Sequence, residues 1–315
     1  ERSQSKSIRL SELGVEYIPV YYNDNRHSRD AFKKLMRACL PSNINNEPDH
    51  TFVKLIEQSE WLLQIKNLLQ LSGTVVDLMD LHEANVNLSF EDGWDYTCQI
   101  SSLAQICLDP FYRTLEGFRV LIEKEWLAFG HRFGHRSNLK PNSSAYAPIF
   151  LQFLDALHQI LVQFPLSFEY NDFYLKFIAY HSVSGRFRTF LFDSELERYE
   201  WGITAAEDKR GSLNSHKHMV DTGTNSDDET VYPGGLRTSN SNQPKVGTSI
   251  FDYIEKYHVR SSVFYNFKYT PDQSRVLRPQ YTNCMLEVWD YYTNEELAQG
   301  PPYDLELIGS ETVEE

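Results

Sequence analysis

Apolar side chains recur every three or four positions along most of this chain, so its pattern predicts a largely helical protein. Arg29 to Cys39 reads as a short helix stopped by Pro41. From Ser59 to His82, the residues Trp61, Ile65, Leu68, Leu69, Val75, Val76 and Met79 follow helical spacing. Thr97 to Cys107 predicts another helix, bounded by Asp109-Pro110. Thr114 to Phe129 puts Phe118, Leu121, Ile122 and Trp126 on one buried face, leaving Glu123-Lys124-Glu125 for the wet one. Pro148 to Phe164 is a strongly apolar helix closed by Pro165, and Asn171 caps a further helix to about His181. Ser249 with Asp252 has the spacing of a capping box that opens a helix through His258. Asn85 to Phe90 is the strand candidate. It would deliver the turn that follows to the C-terminal edge of a sheet, where α/β proteins place ligands.

Between Ile203 and Thr248 the pattern lapses into Ser, Asn, Asp, Gly and Thr, with a Pro-Gly-Gly turn at Pro233, which predicts a flexible surface insertion. Glu1 to Ser7 reads as a loose end, and the acidic tail beyond Asp304 as frayed. The 315 residues suffice to bury a substantial core, and an aromatic content of 14% fits a packed protein. Thirty basic against 44 acidic side chains leave a net charge of −14, which excludes nucleic acid as a general partner and opposes spontaneous binding to anionic lipid. Cys39, Cys98, Cys107 and Cys284 are widely spaced and form no metal-type pair, so a reduced, cytoplasmic compartment is the simpler expectation. With no secretory signal and no apolar run long enough to span a bilayer, membrane association is expected to be peripheral.

The chemistry concentrates after the strand candidate, in Ser89-Phe90-Glu91-Asp92-Gly93-Trp94-Asp95-Tyr96-Thr97. A glycine-containing turn running into a helix N-terminus suits an anion cradle, because both aim N–H donors at one point. A cysteine-dependent phosphatase needs a thiolate at the start of such a loop and an arginine six residues later. Those positions hold Phe90 and Tyr96.

This loop resembles the signature of the myotubularin family of phosphoinositide phosphatases, His-Cys-Ser-Asp-Gly-Trp-Asp-Arg-Thr in active members. Aligned on Asp92-Gly93-Trp94-Asp95, the family's His falls at Ser89, its Cys at Phe90, its Ser at Glu91 and its Arg at Tyr96, while Thr97 matches. The similarity continues through Asp109 to Phe118, Glu123 to Phe133 and Phe150 to Asp155, and covers about Ala31 to Leu307 apart from the insertion. Gly185 to Leu191 and Gly300-Pro301-Pro302-Tyr303-Asp304 favour the SET-binding factor branch, pseudophosphatases that carry DENN modules. The resemblance implies an α/β cysteine-phosphatase-like domain fragment, mostly helical around a small sheet. It assigns residues 1–202 to the C-terminal part of the phosphatase-like domain, 203–248 to the insertion, and 249–315 to the end of the domain with its acidic tail. It also implies DENN and PH-GRAM modules upstream in the parent chain, and a coiled coil downstream.

Phe90 has no lone pair to offer phosphorus, so the covalent route is closed rather than slowed. Tyr96 cannot make the paired charge-assisted bonds of a guanidinium. At about 1.5–3 kcal/mol each, losing two removes roughly 3 kcal/mol or more, or about a hundredfold in phosphate affinity. Glu91 adds repulsion if it faces the pocket, on the order of 4 kcal/mol at about 4 Å. Asp92 matches the family's proton donor, a role with no nucleophile to serve; Asp92, Gly93 and Asp95 are expected only to shape a turn. Cys107 and Arg113 repeat the cysteine–arginine spacing, but at a predicted helix end, where carbonyls rather than amides point outward. Cys98 has Ala104 where the arginine belongs, and is expected to pack in its helix. His131 and His135 have helical spacing but lack a third zinc ligand nearby, His216 and His218 fall in the insertion, and no metal or cofactor is implied. Serines and threonines of the insertion are compositional candidates for phosphorylation.

The leading expectation is a catalytically dead myotubularin-like domain acting as adaptor or regulator. By resemblance its partner is an active myotubularin-related phosphatase or a paralogue, and the parent acts in Rab GTPase exchange, cytoplasmic or peripheral on endosomal membranes. The alternatives are a phosphoinositide sensor that binds headgroups without cleaving them, and, ranked below it, residual phosphatase activity through another nucleophile.

Overall fold

The computed structural model describes residues 15–20, 22, 24–39, 51–137, 145–200, 248–258, 263–271 and 276–293. Ten helices carry the described chain: α1 (Asn25–Cys39), α2 (Phe52–Ser59), α3 (Trp61–Asp80), α4 (Tyr96–Leu108), α5 (Leu115–Leu121), α6 (Phe133–Arg136), α7 (Ile149–Gln163), α8 (Asp172–Ser184), α9 (Glu195–Glu200) and α10 (Ile250–His258). Apart from Thr114 to Phe129, the predicted helices fall where the periodicity puts them, and Asn171 caps α8 by accepting from the Tyr174 N–H at 3.0 Å. Helix α2, which the pattern did not single out, is separated from α3 by Glu60 in the left-handed region at φ 60°.

Helix α7 is the axis of the core. It is buried from Ile149 to Leu161 apart from the half-buried Leu151, with α3, α4 and α8 packed around it. A helix apolar on all sides has nowhere to go but the interior. Its one carboxylate there, Asp155, is fully buried and accepts from Trp61 Nε1 at 2.7 Å, Tyr292 Oη at 2.8 Å and Gln159 Nε2 at 3.0 Å. Burial raises the pKa of Asp155 above its ordinary value. One turn on, His158 lies 2.6 Å from Asp172 and 3.2 Å from Glu287 and stacks on Trp289 at 5.2 Å. These contacts bring residues 286–292 back onto the core.

Three expectations need correction. No strand forms among the described residues; one isolated antiparallel bridge joins Tyr170 to Tyr265. In Asn85 to Phe90 the alternation is real, with Val86, Leu88 and Phe90 half-buried and Asn85, Asn87 and Ser89 exposed. A ladder needs a second backbone alongside, however, and none of the described residues supplies one. The expected small sheet is therefore not seen. Second, Thr114 to Phe129 is not one regular helix. After α5 the chain widens into a π-helical stretch, Ile122–Ala128, which turns Glu125 inward to accept from the Ser101 hydroxyl at 2.9 Å. Third, Ser249 and Asp252 do not close a capping box. The Ile250 N–H donates to Thr189 Oγ1 at 3.0 Å, and Asp252 pairs with Arg119 at 2.9 Å.

The loose end at Glu1 to Ser7, Pro41, His216, His218, Pro233, Gly300 to Asp304, the acidic tail and the expected insertion, except Thr248, lie outside the described residues.

Gly117 lets α5 sit against the 3-10 turn Pro110–Arg113. A Cβ there would lie 1.8 Å from the Phe111 carbonyl oxygen, a backbone atom that cannot step aside alone. Gly117→Ala is expected to cost about 3 kcal/mol or more, read as a fall in the urea midpoint at unchanged slope.

Candidate functional site

The loop leaves Phe90 through a tight turn in which the Gly93 N–H donates to the Phe90 carbonyl at 2.8 Å. That amide closes the loop on itself rather than pointing at a ligand. Gly93 stands at φ 80°, a conformation glycine adopts without steric penalty, and Glu91 is strained at φ 38°. Ser89, Glu91, Asp92 and Gly93 are exposed, so the Glu91 side chain stands in water.

From Trp94 onward the loop is anchored. Two guanidiniums lie against the Trp94 indole, Arg132 at 4.8 Å and Arg136 at 4.5 Å from the ring centre. Asp95, at the N-terminus of α4, is buried and gathers partners from three directions. Asn25 Nδ2 donates to it at 3.1 Å, Arg136 binds both its oxygens, with Nε at 3.3 Å, and His131 Nδ1 lies 3.3 Å away. The same His131 nitrogen is 2.8 Å from the Trp94 carbonyl. Burial pushes the Asp95 pKa up, but the contacts with His131 and Arg136 outweigh burial and hold it below its ordinary value. Thr97 is half-buried in the first turn of α4.

Phe90 and Tyr96, at the two ends of the loop, meet over one residue. Tyr22, just before α1, packs its ring 4.0 Å from that of Tyr96 and edge-on to Phe90 at 6.1 Å. The Tyr96 phenol is pushed above its ordinary pKa by burial, helped by the charges of Asp95 and Glu91. It is therefore neutral at physiological pH.

The other candidates resolve into packing. Arg113 is buried and donates from Nε to Ile106 O at 2.8 Å and from Nη2 to Cys107 O at 2.9 Å. It caps the carbonyl end of α4, and offers no cradle for an anion. Burial pushes the Cys107 thiol up to about 12. Burial also raises Cys98 to about 12, with Glu125 and Asp95 adding to it. Its Sγ sits 3.9 Å from the Gly93 carbonyl oxygen. His131 is a loop anchor, whereas the His135 N–H donates to Asp193 at 3.1 Å. Among the described residues no three His, Cys, Asp or Glu side chains gather as metal ligands would. An apolar cavity of about 310 Å³ adjoins His131 and Arg136 but includes none of the loop residues 89–97.

Sequence reasoning weighed His131 only as a metal ligand and did not identify Arg136 or Tyr22. Arg136 lies 41 residues from Asp95, and no local spacing announces so distant a pair.

The model of one family, the myotubularin-like phosphatase domain, matches residues 9–199. This chain belongs to that family. It is 31% identical over 301 residues to Myotubularin-related protein 5 of Caenorhabditis elegans, covering 95% of this chain and 15% of that protein. It is 41% identical over 180 residues to the Xenopus laevis phosphatidylinositol-3,5-bisphosphate 3-phosphatase MTMR4, covering 55% and 16%. With the human phosphatidylinositol-3-phosphate phosphatase MTMR7 the identity is 35% over 198 residues, covering 62% and 28%. The chain thus spans less than a third of the length of each of these relatives. No helix among the described residues of this myotubularin-like chain is long and apolar enough to cross a membrane.

Asp95→Asn is expected to cost about 3 kcal/mol at pH 7, because it leaves Arg136 facing a neutral group in a buried setting. The native carboxylate, with its pKa depressed on folding, stabilises fully above the ordinary carboxylate range, and that contribution fades as pH falls through its folded pKa. Urea titrations at pH 7 and pH 3 should therefore show a smaller gap between variant and native protein at the lower pH.

Proposed function

We propose that this myotubularin-like domain is catalytically inactive and serves as an adaptor or regulator of an active phosphoinositide phosphatase of its own family. The observation that carries this reading is the fate of the loop's two ends. Where the resemblance puts a thiolate and a guanidinium, the chain has Phe90 and Tyr96, both in contact with Tyr22. Phe90 offers phosphorus no lone pair, and Tyr96 offers phosphate no positive charge. The one thiol beside the loop, Cys98, is pushed up by burial, as is Cys107 at the far end of α4, which counts against a substitute nucleophile. Meanwhile the anchors of the loop are intact, as a binding role requires.

The alignment with Myotubularin-related protein 5, which covers 95% of the chain against 55% for the Xenopus phosphatase, supports placing the chain in the SET-binding factor branch. On that placement the parent chain carries DENN modules, promotes Rab exchange and works at the cytoplasmic face of endosomal membranes. A phosphoinositide sensor is the second reading. The exposed Arg132 beside the loop favours it, and the exposed Glu91 and Asp92 oppose it.

The complete protein, assayed on phosphatidylinositol 3-phosphate, is expected to release no more phosphate than a heat-unfolded control, and to co-sediment with an active myotubularin phosphatase. Turnover above that control would overturn the reading.

A further inference from the structure

The residue between the loop's two ends has no counterpart in the chemistry so far described. We propose that Tyr22 is a plug: it fills the space that an anion would need between positions 90 and 96, and it would keep the loop closed to phosphate even with the thiol and guanidinium restored. This rests on the reading that those two positions are the degenerate ends of a phosphate loop.

Three observations carry the proposal. The Tyr22 ring touches both ends at once, 4.0 Å from Tyr96 and 6.1 Å from Phe90 between ring centres. A phosphoryl anion cannot share that space, because it must exchange water for several polar donors, the ring faces supply none, and the Tyr22 hydroxyl is turned to Gln99. The plug is also held from behind. Tyr22 Oη reaches Gln99 Oε1 at 3.4 Å, and Gln99 in turn donates to the Ile149 carbonyl at 2.7 Å, so the hydroxyl is directed into α4 and α7. Finally, the same segment grips the loop a second time, three residues on, through Asn25 and Asp95 at 3.1 Å. Tyr22 is thus part of a clasp rather than a chance neighbour. An aromatic face at this distance would also attract a guanidinium introduced by Tyr96→Arg, drawing it away from an anion.

The test compares two variants of the complete protein, Phe90→Cys/Tyr96→Arg and Tyr22→Ala/Phe90→Cys/Tyr96→Arg, titrated with orthovanadate by calorimetry. Cooperative thermal melts are checked first. The double variant is expected to bind vanadate no better than the native protein, and the triple variant at least tenfold better. Equal, tight binding by both overturns the plug while leaving the reading of positions 90 and 96 intact. If neither folded variant binds, the plug and the reading of those positions both fail. Should Tyr22→Ala unfold the chain, Tyr22→Ile in the same background carries the comparison, since it shortens the side chain while keeping it apolar.

Discussion

A buried carboxylate at a helix N-terminus holds this site together. Asp95 cannot remain charged in the interior without donors on its oxygens. Supplying them brings together Asn25 of α1, His131 after the π-helical stretch, and Arg136 of α6. The positive end of α4 favours the same charge. Arg136 then serves twice, since the guanidinium that binds Asp95 also lies against the Trp94 ring. Remove the carboxylate and Asn25 and Arg136 lose the group that gathers them at the start of α4.

The loop is held in two different ways along its length. The residues that position it (Gly93 at the turn, Trp94 with two arginines against its ring, Asp95 at its hub) form a self-consistent network. The residues at its ends do not face a ligand. They pack as an aromatic cluster around Tyr22. A second buried acid, Asp155 of α7, does comparable work where Trp61 and Tyr292 donate to it and bring the last described residues against the core.

Most helices were legible in the chain because each depends on local rules. The apolar spacing of Trp61, Ile65, Leu68 and Leu69 declares a buried face wherever the helix ends up, and Asn171 caps α8 with its own side chain. Misreadings arose where a second segment decides. Val86, Leu88 and Phe90 alternate as a strand should, yet no neighbouring backbone among the described residues makes them one. Glu125 was placed in water by a regular 3.6-residue turn, and the wider π-helical turn carries it to Ser101.

What the sequence determined by itself was the helical framework, the family to which the loop belongs, and the absence of sulfur and guanidinium at positions 90 and 96. Composition and order suffice for these, since they concern which atoms are present and how near neighbours repeat. Only the tertiary structure decided that Arg136 and His131 anchor Asp95, that Arg113 caps a helix, and that Tyr22 bridges the two ends of the loop. Charge pairing and ring packing act through space over a few ångströms, between residues separated by dozens of positions, and nothing in local spacing encodes which of them will meet.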